Sequence, residues 1–371
     1  MHVTLAERIR EWNTRHESLL WLILLIIFLY LFIFSLELMS TSLKMFGKEF
    51  ARSLIYTTTN PAAGLFIGIL ATSIIQSSSS TTSIVVGMVA SGALEISSAI
   101  PIIMGANIGT SVTNTLVSLP HINRSNEFNR AFSAAIVNDV FNIFAVLVLF
   151  PIQIATNFLN IGATFMGEAF QYIGALTLLS PVKMLTYPFV DFLKELFGNY
   201  PFIIFILSLL LLLFSLKMMV DALRVLVVKK AAVWFDTFLF KTAYHAFLVG
   251  LLLTVLVQSS SIITSLVVPM AGAGVLTLEQ IFPYALGSNV GTTVTAILAA
   301  LVTGNLAAIT VAFSHLLFNI SGMIIWWPLK CVPIFVARSF SQYSMRNKMI
   351  PFGYIIIVFF IVPLLGIYFF R

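Results

Sequence analysis

The sequence predicts an all-α integral membrane protein that consists of two inverted repeats, each with a re-entrant or broken helical hairpin carrying QSSS. Of its 371 residues, 59% are hydrophobic and only 9% are charged, whereas about a quarter are charged in an ordinary globular domain. The run Leu19 to Leu38 matches the ~20 apolar residues that a helix needs to cross a bilayer. Further apolar runs bring the expected number of membrane elements to roughly eight to ten. A long internal repeat, the third observation, divides the chain into two halves.

The amino-terminal segment, residues 1–17, contains three arginines and is expected to lie in the cytoplasm, because cytoplasmic flanks of membrane spans are enriched in Lys and Arg. It has no short apolar region followed by a cleavage site, so no removed signal peptide is predicted. The run RVLVVKK (224–230) predicts a second cytoplasmic segment, and the group Lys44, Lys48 and Arg52 argues the other way. The net charge of +6 is scattered over such loops, which predicts contact with membrane lipid and no nucleic-acid partner.

The internal repeat aligns residues 68–113 with residues 250–295 without a gap, and 21 of the 46 aligned positions are identical. Each half is therefore expected to be one folding unit. We divide the chain into a cytoplasmic segment at 1–17, repeat 1 at 18–155, an inter-repeat linker at 156–200, repeat 2 at 201–330, and a C-terminal segment with a final membrane helix at 331–371. If the N-terminus and residues 224–241 are both cytoplasmic, the equivalent loop of the first copy falls outside and the repeats are inverted. An even number of crossings per unit plus linker would make them parallel instead.

The polar run QSSSS (76–80) interrupts an apolar stretch, and QSSS recurs at 258–261. Successive residues of a helix turn by about 100°, so a regular span would point some of these hydroxyls at lipid. Polar groups are better satisfied where a helix is interrupted and its backbone lines a cavity inside the protein. Serines that only allow close helix packing are the alternative. The recurrence at matched positions favours a helix break at each QSSS.

The second repeated motif reads GANIGTSVT (105–113) in one copy and GSNVGTTVT (287–295) in the other. Glycines on both sides of the asparagine permit the helix to unwind there and allow a close approach of backbone, and we expect an unwound segment. Unwound carbonyls and neighbouring hydroxyls can replace the water shell of a small hard cation, which prefers oxygen ligands.

Charged residues are almost absent around these motifs. The only one between residues 60 and 115 is Glu95, and the only one between 246 and 329 is Glu279. Both are predicted to lie in loops, so the site is expected to contain no Arg or Lys. Helix N-termini and serine hydroxyls can still hold an oxyanion. Cations bound beside it would lower its desolvation cost.

The motifs QSSSSTTS (76–83), QSSSIITS (258–265) and MGANIGTSVTNT (104–115) resemble those of the type II sodium-dependent phosphate cotransporter family, including its bacterial members. The resemblance covers roughly residues 20–330. It implies uptake of inorganic phosphate driven by sodium, through a multi-pass protein of the cell membrane. No cofactor is implied beyond the transported sodium ions.

The resemblance also implies where the substrates bind. Phosphate would sit between the two QSSS tips, on Gln76, Ser77, Ser78, Ser79, Ser259, Ser260 and Ser261. Sodium ions would lie near Gln258, Ser288, Asn289, Thr292 and Thr295 in one half, and near Asn107, Thr110 and Thr113 in the other. Asp139 matches an aspartate that the family's electrogenic members associate with an additional sodium ion, which implies three sodium ions per divalent phosphate. An intramembrane carboxylate is in any case a functional candidate.

Three other functions are alternatives to phosphate transport: an intramembrane hydrolase, an ion channel and a transporter of another small anion. An intramembrane hydrolase would use a QSSS serine or Ser91 as its nucleophile, and such a serine needs a general base within hydrogen-bond reach. The motif-bearing elements contain no Lys or His, so the chain is predicted not to be an enzyme. An ion channel and a sodium-coupled transporter of another small anion, such as a dicarboxylate, stay open as alternatives. His315 is expected to be a packed, hydrogen-bonded residue. The sequence does not determine the oligomeric state, and a homodimer is one alternative.

Overall fold

The computed structural model describes residues 5–46, 60–172, 180–197, 200–231, 240 and 242–371. Within these ranges the regular structure is helical. Seven of the described helices are long and apolar enough to cross a membrane, and they comprise Leu19–Met45, Ile96–His121, Ser125–Thr156, Pro201–Met219, Leu278–Thr303, Leu306–Trp326 and Met349–Phe370. The predicted class, an all-α multi-pass membrane protein, is confirmed. Lys48 and Arg52 of the competing basic group lie outside the described residues.

The described residues form sixteen α-helices. In chain order they are α1 (Leu5–Met45), α2 (Pro61–Ile75), α3 (Ser78–Ser91), α4 (Ile96–Thr110), α5 (Val112–Ser118), α6 (Ser125–Thr156), α7 (Phe158–Tyr172), α8 (Ser180–Phe197), α9 (Pro201–Ala231), α10 (Ala243–Val257), α11 (Ser260–Gly272), α12 (Leu278–Thr303), α13 (Leu306–Trp326), α14 (Cys331–Ser344), α15 (Met349–Ile356) and α16 (Val362–Phe370). A π-helical turn at Ile357–Ile361 connects α15 to α16. The segment interpreted as a linker, 156–200, contains α7 and α8.

Each half contains a pair of helices separated by a break at QSSS. We call α2 and α3 the first QSSS unit, and α10 and α11 the second QSSS unit. In both halves the leading helix of the unit packs along the helix that carries the G-x-N-x-G motif, so α2 lies against α4 and α10 lies against α12. The two halves therefore have the same local arrangement, as their sequence identity indicates.

The expected unwinding at the G-x-N-x-G glycines is wrong, whereas the close backbone approach that glycine permits is present. Helix α4 is continuous through Gly105, and α12 is continuous through Gly287. A Cβ added at Gly105 would overlap the carbonyl oxygen of Leu65, and one added at Gly287 would overlap that of Phe247. These glycines thus allow two helix backbones to touch, which is the role of small residues between membrane helices.

Helix α6 runs through the centre of the molecule. Its Phe132 and Phe141 are fully buried, and they pack against Phe340 of α14 and Phe282 of α12, respectively. Because α6 contacts helices of both halves and of the C-terminal segment, it is one of the elements that hold these parts together.

Candidate functional site

The first break has a defined backbone geometry. Helix α2 ends at Ile75, and Gln76 adopts a left-handed conformation with φ of 58°. The Gln76 N–H donates to the Thr72 carbonyl oxygen at 2.7 Å. Ser77 then caps α3, because its Oγ accepts a hydrogen bond from the Ser80 N–H at 3.2 Å. The break predicted at the first QSSS is present.

The second break repeats this geometry. Gln258 has φ of 55°, and its N–H donates to the Thr254 carbonyl oxygen at 2.6 Å. The Oγ of Ser259 accepts from the Ile262 N–H at 3.4 Å. A left-handed conformation costs a residue other than glycine about 1–2 kcal/mol. Both halves have glutamine at this left-handed position despite this cost.

The two breaks meet at one cavity of about 620 Å³. The Ser79 hydroxyl donates to the Gln258 carbonyl oxygen at 3.4 Å, so the two QSSS units are in direct contact there. Of the predicted phosphate ligands, those that line the cavity are Gln76, Ser77, Ser79, Ser259 and Ser261. Ser78 and Ser260 are buried in the first turns of α3 and α11 and do not line it. Gln258 and Thr113, predicted as sodium ligands, also line the cavity.

The expectation that the site contains no basic side chain is wrong. Lys217 and Asp221 of α9 line the same cavity. They are four residues apart, which places them on one face of the helix. From the sequence, Lys217 was expected to be a helix-end or interhelical polar group, and Asp221 was not singled out. The motifs do not reveal this contribution, because a packed neighbouring helix can bring in side chains from far away in sequence.

Glu279 also differs from the prediction. It lies in the first turn of α12 and not in a loop, and its carboxylate is 3.0 Å from the guanidinium of Arg338. Glu95 does precede its helix, as predicted. Neither carboxylate lines the cavity between the QSSS units.

The sodium candidates of the first half lie on α4 and in the first turn of α5, and Asn107 and Thr110 are buried. Asn107 donates from Nδ2 to the Ile103 carbonyl oxygen at 3.1 Å, and Thr110 donates to that of Ala106 at 2.9 Å. The hydroxyl of Thr113 is buried without a hydrogen-bond partner. An orphaned buried oxygen beside the cavity is a group that a bound cation would satisfy.

The sodium candidates of the second half lie on α12. The Ser288 hydroxyl is 2.7 Å from that of Thr254, and Thr292 donates to the Ser288 carbonyl oxygen at 3.0 Å. The hydroxyl of Thr295, like that of its repeat partner Thr113, has no partner. Thr254 was not among the site residues predicted from the sequence. Its identity with Thr72 at the matched position of the repeat could have indicated it.

Buried asparagines join the two halves. Asn289 donates from Nδ2 to Asn138 Oδ1 at 3.0 Å and to Asn142 Oδ1 at 3.1 Å. Asn142 in turn donates to the Asn107 carbonyl oxygen at 2.9 Å. His315, which is almost fully buried, has Nε2 3.4 Å from Asn107 Oδ1. Two predicted sodium ligands, Asn107 and Asn289, therefore belong to one connected polar network across the halves, and His315 is packed and hydrogen-bonded as expected.

Asp139 lies on α6 and is fully buried. Its Oδ2 accepts hydrogen bonds from the Thr115 hydroxyl at 3.3 Å and from the Tyr354 hydroxyl at 3.1 Å. Its Oδ1 has no partner. A buried carboxylate requires a compensating charge or a proton, so this half-satisfied group can hold a cation.

The cavity has the chemistry of an oxyanion site. Helices α3 and α11 both begin at it, and the N-terminus of each helix carries roughly half a positive charge and free backbone N–H groups. Serine hydroxyls and glutamine amides add neutral donors. Of the unpartnered oxygens, the Thr113 hydroxyl lies at the cavity, whereas Thr295 and Asp139 do not line it. All three are oxygen ligands of the kind that a small hard cation prefers.

A family model described as Na+/Pi-cotransporter matches residues 31–180 and 211–327, which together cover more than half of the chain. The chain belongs to the Na+/Pi-cotransporter family. Both QSSS units lie within the matched ranges, and so do both G-x-N-x-G helices. Because the Na+/Pi-cotransporter family consists of transporters, the prediction that the chain is not an enzyme is confirmed, as is the resemblance seen in its motifs.

Similar proteins carry matching names. Sodium-dependent phosphate transport protein 2B of Homo sapiens is 35% identical over 444 residues, covering 92% of this chain and 64% of the relative. Protein 2A of Oryctolagus cuniculus is 34% identical over 93% of this chain and 67% of the relative, and protein 2A of Mus musculus is 33% identical over 97% and 68%. The chain thus spans 64% of the length of the human relative. No solved structure matches the chain significantly.

Proposed function

We propose that this protein imports inorganic phosphate across the cell membrane, coupled to transported sodium ions. The observation that carries the proposal is the meeting of two QSSS breaks, one from each half, at a single cavity. The family description and the names of the relatives, sodium-dependent phosphate transport proteins, support the same pair of substrates. The two halves are proposed to be inverted relative to each other, which suits a site reached alternately from either side.

Phosphate binds between the QSSS units in this proposal. The ligands are Gln76, Ser77, Ser78 and Ser79 from the first unit and Ser259, Ser260 and Ser261 from the second. The lining side chains supply neutral donors, and Ser78 and Ser260 supply first-turn backbone N–H groups at the two helix N-termini. Lys217 adds a positive charge to the cavity wall, and Asp221 beside it offsets that charge. The dianion is therefore left with a charge that bound cations have to balance.

Sodium ions supply that balance. Near the second break they bind among Gln258, Ser288, Asn289, Thr292 and Thr295, and in the first half they bind among Asn107, Thr110 and Thr113. Each ion lowers the desolvation cost of the phosphate, and by linkage the phosphate raises the affinity for each ion. Asp139 holds an additional sodium ion. Three sodium ions per divalent phosphate then carry one net positive charge inward.

The proposal is tested by uptake of labelled phosphate into proteoliposomes that contain the purified protein. We expect saturable uptake that requires an inward sodium gradient, together with an inward current. Equal uptake when choline replaces sodium would refute the coupling. Sulfate, arsenate and succinate are compared in the same assay: faster transport of succinate would establish the dicarboxylate alternative, and a flux that does not saturate would establish a channel.

A further inference from the structure

The C-terminal segment contributes a side chain to the buried carboxylate at the centre of the molecule. Tyr354 lies on α15, which is 215 residues away from Asp139 in sequence and outside both ranges matched by the family model. Its hydroxyl donates to Asp139 Oδ2 at 3.1 Å. Hydrogen bonds to an ionised acceptor are about twice as strong as those between neutral groups, so this contact strongly constrains the carboxylate.

The Tyr354 ring is held by other aromatic rings. Phe340 of α14 lies with its centroid 5.2 Å away, Phe359 meets it edge-on at 5.8 Å, and Phe132 of α6 does so at 6.5 Å. A ring packed on three sides has little freedom to move its hydroxyl. The donor is therefore fixed in place before any ion arrives.

The backbone beside Tyr354 is also unusual. The helix changes to a π-helical turn at Ile357–Ile361, and Phe359 within this turn is fully buried. Such turns are rare and frequently lie at functional sites. Here the turn carries one of the rings that hold Tyr354.

The two oxygens of Asp139 have different surroundings. Oδ2 accepts from both Tyr354 and Thr115, whereas Oδ1 is buried without a partner. Donors on one oxygen fix the orientation of the carboxylate and direct the other oxygen, with its full capacity as an acceptor, toward a ligand. An analogous arrangement, in which a second group orients a metal ligand, is general in metal sites.

We propose that Tyr354 is a positioning residue that holds the Asp139 carboxylate in the orientation that binds a transported sodium ion at Oδ1. This inference rests on the proposed function, because it concerns the same transported ion. It adds a residue from the C-terminal segment to a site that the repeat motifs alone do not complete.

The test is Tyr354→Phe, which removes one oxygen atom and keeps the packed ring. We expect the sodium KM to rise on the order of tenfold, the effect of losing about one charge-assisted hydrogen bond. The phosphate KM at saturating sodium should stay within about twofold of the original value. Tyr368→Phe is the matched control, because Tyr368 lies on α16 with an exposed side chain and should leave both values unchanged.

A second background separates positioning from a structural effect. In Asp139→Asn protein, adding Tyr354→Phe should change the sodium KM no further, because Tyr354 acts only through the carboxylate. Thr115→Val, which removes the other donor to Oδ2, should raise the sodium KM in the same direction, and it carries the test if the Tyr354 variant does not fold. An unchanged sodium KM in Tyr354→Phe, or an equal rise of both KM values, would overturn the inference while sodium-driven uptake by the unsubstituted protein stands. Absence of sodium dependence in the unsubstituted protein would instead refute the proposed function.

Discussion

At the scale of single residues, Lys217 changes the electrostatics of the cavity between the QSSS units. The motif-bearing segments hold only neutral donors there, whereas Lys217 and Asp221 bring one positive and one negative charge to the wall. The ammonium attracts an approaching phosphate dianion and the carboxylate repels it. Lys217 is exposed and Asp221 is partly buried, so we expect both charges to be screened and each effect to be modest.

Substitution of Lys217 and of Asp221 tests whether their charges act on phosphate binding. We expect Lys217→Gln to raise the phosphate KM roughly two- to fivefold and Asp221→Asn to lower it by a similar factor, as screened charges do. Both shifts should shrink as ionic strength is raised at constant sodium. Uptake kinetics measure them, and Lys330→Gln is the control, because Lys330 lines a different cavity. An identical phosphate KM in all three variants would show that the ammonium does not act on the substrate.

At the scale of helices, glycine decides how closely the QSSS units approach their neighbours. Gly105 and Gly287 face the backbones of α2 and α10, and Gly68 and Gly250 return the contact from the other side. These reciprocal contacts fix each leading helix against the helix that carries the predicted sodium ligands. A sequence pattern of glycines is compatible both with unwinding and with close packing, and only the packed neighbour distinguishes the two.

The glycine contact predicts a stability effect. Gly105→Ala places a Cβ against the Leu65 carbonyl, and we expect it to destabilise the protein by about 1–3 kcal/mol or more, since a backbone has to shift. A thermal melt in detergent measures this. Gly353→Ala is the control, because nothing lies within 4 Å of a Cβ added there, and alanine should stabilise that helix by roughly 0.5–1 kcal/mol. A melting temperature that is equal in Gly105→Ala and the unsubstituted protein would contradict the contact.

At the scale of the whole molecule, buried polar contacts connect the two halves. Asn289 of the second half donates to two asparagines of α6, Thr264 donates to Asn114 at 2.9 Å, and Ser79 donates to Gln258. Hydrogen bonds between membrane helices each contribute about 0.6 to 2 kcal/mol. They therefore hold the halves together in this arrangement without making it irreversible, as a transporter that changes conformation requires.

The contact between the halves predicts a specific cross-link. In a Cys331→Ser background, which removes the single cysteine, Ser79→Cys combined with Ser259→Cys should be joined by a short bifunctional thiol reagent. Mass spectrometry of the digested protein detects the linked peptides. The control pair is Ser91→Cys combined with Ser259→Cys. Ser91 lies twelve residues, or about 18 Å, further along the same helix than Ser79, so this pair should not be joined. Linking of the control pair in place of the first would contradict the arrangement at the cavity.

The sequence by itself determined the membrane class, the two halves and the helix break at each QSSS. These follow from local chemistry, because an apolar segment cannot satisfy Gln76 and its serines without interrupting the helix. Only the tertiary structure decided which side-chain oxygen atoms lie close together. Whether Lys217 faces the cavity, whether Gly105 unwinds or packs, and whether Tyr354 reaches Asp139 all depend on how each helix is rotated against its neighbours. Contacts between residues up to 225 positions apart set that rotation, and no local pattern contains it.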